Sequence, residues 1–383
     1  MIKELGIWLF GAICGWVVST VLEYAKKRAA RKYSVHKAKR KDSEYKQRTF
    51  KDCIPICRGV PFFRSQNIRT RRKIEDVFYI SFPNEIKSEM NLKDGLEIES
   101  FSRCDSNSFF RAFNLPDYSD EDVKNALSIS RMKIAKQMAE RENGLYFNSK
   151  MYGVYSSDAH QRTPDAKEEQ IYYLRVFETD YFTHRVVGEA LDILKVPTET
   201  FAAIEGLNAS LNWTRTSFGL SIIVVLPKSN EIILTKRSKN AAYSGGKELY
   251  YVSVTETLSA TDLNLDTNCP DLECGVIRGL KEELGIDRNL LDLSSLRFYD
   301  SFYETRFHQD NITASISLKS DVSYSNVLEC VGKDRDLEVN EFLKIDNTPK
   351  AIQRFINEHR DASQAQTIFT LESYKSRLED SFL

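Results

Sequence analysis

The sequence predicts an α+β protein in three parts: an N-terminal transmembrane helix, a mixed α/β region and a C-terminal α/β/α sandwich. Three observations predict it. Leu5 to Leu22 runs for eighteen residues without a charged side chain, which reaches the length a helix needs to cross a bilayer. Further along, short apolar runs alternate with segments of helical period, the pattern of a sheet covered by helices. Finally, Cys274 to Ile286 has helical period and carries two adjacent carboxylates, Glu282 and Glu283, before a stop at Gly285. With 383 residues, 42% hydrophobic and 28% charged, the chain can bury a sizeable core and is long enough for two domains, so disorder is not the default expectation.

The expected boundaries are residues 1–25 for the transmembrane helix, 26–52 for a basic juxtamembrane linker, 53–212 for a mixed α+β domain and 213–383 for the sandwich. Twelve Lys/Arg lie between Lys26 and Lys51 against Asp42 and Glu44, so this segment is about +10, and a total of −1 leaves about −10 from Asp52 onward. A secretory signal would carry its positive charges ahead of the apolar run, whereas here they follow it at Lys26-Lys27-Arg28, so cleavage is not expected. The positive-inside rule then places the N-terminus outside and the bulk in the cytoplasm, a single-pass protein of the inner (cytoplasmic) membrane whose basic linker meets anionic membrane lipid. The alternative is a soluble protein whose first helix packs on its own core. Gly11-Ala-Ile-Cys-Gly15 puts two small residues on one helix face, which predicts close helix approach and a homo-oligomer. The acidic bulk excludes a general nucleic-acid coat, so no specific DNA or RNA partner is expected.

Seven cysteines, an odd number scattered without paired knuckles, read as reduced thiols. Cys53-Ile-Pro-Ile-Cys57 has a spacing a metal site could use, but no second pair or nearby histidine accompanies it. In order, Asp76 to Phe82 reads as a strand closed by Pro83, and Asp117 to Asn143 as a helix with Ser119 or Asp120 as its cap and Val123, Leu127, Ile134 and Met138 on its buried face. Met151 to Ser156 and Gln170 to Phe177 read as strands, and His184 to Leu194 and Phe201 to Asn212 as helices. Leu220 to Leu226 is a buried strand, turned at Lys228-Ser-Asn230 into a hairpin partner, Glu231 to Ser238. Strands follow at Tyr250 to Val254, Leu296 to Tyr303, Ile312 to Leu318 and Glu338 to Ile345, with helices at Pro349 to His359 and Thr367 to Leu378.

Within the carboxylate helix Arg278 and Glu282 stand four apart, and one arginine cannot pair with both Glu282 and Glu283, which leaves a carboxylate for a divalent cation holding a phosphate. The bland alternative is a solvated, charged helix end. Arg278-Gly-Leu-Lys-Glu-Glu-Leu-Gly-Ile286 resembles the second half of the Nudix hydrolase box, Arg-Glu-hydrophobic-any-Glu-Glu-any-Gly-hydrophobic, with Gly279 at the first Glu position. The first half departs from it: the family's Gly and Glu fall at Asn264 and Pro270. The resemblance spans about Trp213 to Leu383. It implies a Nudix-like α/β/α sandwich, with Glu282 and Glu283 as catalytic metal ligands, Arg278 as the ion-pair organiser, and Mg²⁺ or Mn²⁺ as the cofactor. Glu338, Glu341 or Asp336 could add a ligand, and Glu273 could substitute for the missing family Glu.

Lys236, Arg237, Tyr250, Tyr243 and Tyr251 are candidate phosphate and base contacts for a nucleotide, although each one singly reads more readily as an ordinary strand or loop residue. The missing glutamate makes weak or absent hydrolysis the expectation. The architecture resembles the transmembrane Nudix effectors of bacterial cyclic-oligonucleotide antiphage signalling. That implies a membrane-anchored effector that binds a nucleotide second messenger, a cyclic oligonucleotide, and responds through oligomerisation in antiviral defence. The alternatives are a tethered, metal-dependent hydrolase of a nucleoside diphosphate derivative and a protein-binding scaffold.

Overall fold

The structure, a computed structural model, describes residue 26 and residues 50–59, 61–89, 118–140, 148–160, 169–197, 214–237, 248–333 and 339–380. The chain divides into two units, Met1–Arg48 with Gln161–Glu169, and Thr49–His160 with Gln170–Leu383. Of the first unit only Lys26 and Glu169 are described. The second is α+β with a mixed sheet.

Its elements, in order, are β1 (Cys53–Cys57), β2 (Ile68–Val77), α1 (Asn84–Glu89), α2 (Asp120–Ala139), β3 (Lys150–His160), β4 (Ile171–Asp180), α3 (Tyr181–Leu194), β5 (Phe218–Leu226), β6 (Glu231–Arg237), β7 (Tyr250–Val252), β8 (Val254–Thr257), β9 (Leu263–Asn264), β10 (Cys269–Pro270), α4 (Leu272–Leu284), β11 (Leu291–Glu304), β12 (Gln309–Leu318), α5 (Tyr324–Glu329), β13 (Val339–Asp346), α6 (Pro349–His359) and α7 (Ala365–Glu379). The large sheet runs β1-β11-β12-β5-β6-β13, with β7 on β6 and β8 on β5. All its pairs are antiparallel except β12 with β5. A second sheet, β2-β4-β3, has β2 parallel to β4.

Every residue of β5 is buried, and its alternation sorts the core into two layers, because successive strand side chains point to opposite faces. Leu220, Ile222, Val224 and Leu226 pack with Leu272, Val276, Leu280 and Leu284 of α4. Ile223 and Val225 pack with Ile352, Phe355 and Ile356 of α6 and with Ile368, Leu371 and Tyr374 of α7. The carboxylate helix and the last two helices therefore cover opposite faces.

The local signals behind these elements are caps. Ser119 and Asp122 form a reciprocal capping box at α2, Asp180 accepts from Thr183 N at 2.7 Å to start α3, and Thr348 caps α6 one residue before Pro349. Leu127 is half-buried, whereas Val123, Ile134 and Met138 are core as expected. The expected strand over Asp76 to Phe82 lies earlier: β2 ends at Val77, and Tyr79 and Phe82 are buried outside any strand. The 201–212 helix lies outside the described residues.

The transmembrane expectation is corrected. Among the described residues no helix is long and apolar enough to cross a membrane; the twenty-residue α2 has a buried stripe, but Asp120, Glu121, Asp122 and Lys136 crowd its two ends. Residues 1–25, where the span was expected, lie outside the described residues, and the single-pass orientation and inner-membrane localisation derived from them are withdrawn. An apolar run of eighteen residues sits near the lower length limit for a span and does not by itself establish one.

Candidate functional site

Helix α4 starts where the Asp271 side chain accepts from Glu273 N at 2.8 Å, and it ends at Gly285, whose φ of 72° is the left-handed cap that favours glycine. Its buried stripe is Leu272, Gly275, Val276, Gly279, Leu280, Glu283 and Leu284. Gly275 and Gly279 let the helix lie close to its neighbours. A Cβ on Gly275 would come within 2.8 Å of Leu220, and one on Gly279 within 2.9 Å of Cβ and Cγ of Glu256. The space that a longer side chain at position 279 would need is thus filled by the stem of a glutamate arriving from β8. The small-residue spacing Gly275-Val-Ile-Arg-Gly279 was the signal that could have shown this close approach.

Arg278 is the centre of a carboxylate web. Its Nε and Nη2 donate to the two oxygens of Asp262 at 2.8 and 2.9 Å, its Nη1 donates to Glu282 at 2.8 Å and lies 3.2 Å from Glu256, and its Nη2 donates to the Thr257 carbonyl at 2.7 Å. Asp262 is fully enclosed and also accepts from Ser259 N at 2.8 Å. Desolvation, reinforced by the neighbouring Glu282 and opposed by Arg278 and the Thr257 N–H, pushes the Glu256 carboxyl up to about 7. Sequence reasoning named Arg278 as organiser but missed Asp262 and Glu256, which reach it only through the fold.

Glu283 faces a different partner. It is buried, and both its oxygens lie 3.4 Å from Nη2 of Arg237, which also donates to Thr255 Oγ1 at 2.7 Å and stacks 4.5 Å over the Tyr251 ring. Alternation along β6 sends the adjacent Lys236 to the other face. Its Nζ pairs with Glu248 at 2.9 Å and lies 5.9 Å from the Tyr250 ring centre, and Tyr250 packs against Phe355 and His359 of α6. The structure therefore brings Arg237, Arg278, Glu282 and Glu283 to the α4 side and places Lys236 and Tyr250 on the α6 side. Glu273 pairs with Arg288 at 3.6 Å, and Glu341 is exposed on β13 beside Lys236. Tyr243, Asp336 and Glu338 lie outside the described residues.

The α4 residues present do not fit a divalent cation. Such an ion wants several carboxylate or carbonyl oxygens converging on one point, and among the described residues no group of three or more His, Cys, Asp or Glu side chains is arranged to hold a metal. The oxygens of Glu256, Glu282 and Asp262 converge on the Arg278 guanidinium, and those of Glu283 on Arg237. Cys53 and Cys57 are buried strand residues, and the Cys57 thiol donates to the Ser157 carbonyl. No protein-family model matches the chain, and no curated protein matches it.

Proposed function

We propose that this protein is a nucleotide-binding module built on a Nudix-like helix, which recognises its ligand without hydrolysing it. The observation that supports the reading is the pairing of the helix carboxylates with guanidinium groups: Glu283 with Arg237 and Glu282 with Arg278. The Glu283 pair ties the helix to β6 and the Glu282 pair lies within the helix itself, so both carboxylates face a guanidinium rather than offering oxygens to a phosphate-bound cation. The ligand class is the one the box resemblance implies, a nucleotide, with a cyclic oligonucleotide messenger as the first candidate.

The test is to titrate the purified chain with cyclic dinucleotides and nucleoside diphosphate derivatives, with and without Mg²⁺ or Mn²⁺, following heat of binding and product formation together. Saturable binding with unchanged ligand is the expected outcome. Metal-dependent turnover that disappears in Glu283→Gln would overturn the binding-only reading and favour the hydrolase, and the absence of both binding and turnover would overturn the nucleotide reading altogether.

A further inference from the structure

The face of the large sheet that α6 and α7 cover is apolar at Ile223 and Val225, yet it turns polar where β5 meets β12. Strand alternation puts Ser221 of β5 on the same face as Ile223 and Val225. Thr313 of β12 is the register partner of Ser221, and residues directly opposite in a sheet share a face. From the helix side, Thr367 and Thr370 of α7 stand three residues apart and so occupy one helix face. The Thr313 and Thr370 hydroxyls lie 3.5 Å apart, which sets that helix face against that strand face. All four side chains are completely buried.

Unmet hydrogen bonding sets this seam apart. Ser221 Oγ and Thr367 Oγ1 have no hydrogen-bond partner among the described residues, and the Thr313–Thr370 contact sits beyond the usual range for two hydroxyls. Neighbouring buried hydroxyls on the α7 side are served: Ser315, two residues along β12, meets the Tyr299 hydroxyl, and Ser373 donates to Asp300 at 2.7 Å. A hydroxyl taken out of water without a partner loses its hydration and gains nothing in return, so two such groups in one seam point to a partner that is not a protein group. The seam limits what that partner is. Each hydroxyl offers one donor and two acceptor positions and no charge, so nothing supplied by these four offsets the charge of an ion. Their full enclosure leaves no opening for a molecule of metabolite size. Water is the small neutral molecule that both donates and accepts, and a buried water typically makes about three hydrogen bonds to groups that otherwise lack them.

We propose that Ser221, Thr313, Thr367 and Thr370 form an internal water site that joins α7 to β5 and β12. It stands whether or not the α4 side binds a nucleotide. The full chain is compared with Thr367→Val, which keeps the side-chain shape and removes the hydroxyl, and with Ser221→Ala. Oxygen-17 magnetic relaxation dispersion of the solvent counts long-lived internal waters, and thermal melts read stability. Each variant should lose about one long-lived water per molecule and melt below the parent, because the water loses a partner it was bonded to. A dry seam gives the opposite sign, since removing a hydroxyl that bonds to nothing spares its desolvation. A melting temperature at or above the parent's in either variant overturns the site, and so does a parent-like dispersion in either variant, whatever the melts show. If a variant fails to fold, electron density in a crystal of the parent decides: a water within hydrogen-bond distance of Ser221 Oγ and Thr367 Oγ1 is the expected result, and a seam without density is the overturning one.

Discussion

Arg377 shows how much of this molecule is held by single buried charges. It donates to Asp300 through two nitrogens, one at 2.9 Å, and to the carbonyls of Gly59 at 2.7 Å and Pro61 at 3.2 Å, and neither Arg377 nor Asp300 is more than 2% exposed. Removing one member leaves the other buried and uncompensated, so Arg377→Ala should cost about 3–5 kcal/mol in urea denaturation, and the double variant Arg377→Met/Asp300→Leu should recover most of that loss. Glu304 makes the opposite kind of prediction. Burial pushes its carboxyl up to about 8, with Asp52 adding to the effect and the Phe307 N–H opposing it. Because the folded protein holds this proton to higher pH than the unfolded chain does, the contribution to stability is fully present below the usual carboxylate range and is lost as pH rises toward about 8. Unfolding measured from pH 5 to 8 should therefore show falling stability, and Glu304→Gln should flatten part of that slope; an unchanged slope would rule out Glu304 as its source.

At the scale of the element, α4 decides between two readings of one glycine. Helix propensity alone says that Gly279→Ala should add about 1 kcal/mol. Packing says otherwise, because the new Cβ meets Glu256 at 2.9 Å, and overpacking of this kind costs about 1–3 kcal/mol. Thermal melts of Gly279→Ala should therefore show destabilisation, and a stabilised variant would mean that α4 does not press on β8. Gly285→Ala should be worse, since its φ of 72° is strained for alanine and the Cβ would lie 2.5 Å from the Val331 backbone. The sequence made α4, α6 and the β5–β6 hairpin legible, since their caps, turn residues and periodicity are local. It did not reveal α5, which is only six residues long, or β1, where Cys53 to Cys57 looked like a metal spacing and proved to be a strand bonded to β11.

At the scale of the molecule, the elements between Cys53 and Asp180 close the fold of those after residue 213. β1 pairs with β11, Val154 N donates to the Arg215 carbonyl at 2.7 Å, and Phe63, Tyr152 and Tyr172 share one core with Leu220, Ile222 and Leu280. Arg215 extends this tie, pairing with Asp310 through Nε at 2.8 Å while Nη2 donates to Ser157. A fragment beginning at residue 213 would expose that shared core, so it should lack the near-ultraviolet dichroism of the full chain and bind a hydrophobic dye. A fragment with native-like dichroism would show that the sandwich folds by itself.

By itself the sequence determined the α+β class, the hairpin, the carboxylate helix and its glycine stop, because each rests on interactions among residues a few positions apart. Which side chain meets which was decided only by the tertiary structure. Asp262 and Glu256 reached Arg278, Arg237 reached Glu283, and Lys236 was turned to the opposite face by the alternation of β6. These are contacts across strands and layers, and no local pattern encodes the partner of a charged residue until the sheet has fixed its register. The helix expected to gather a metal instead has its carboxylates drawn onto two arginines.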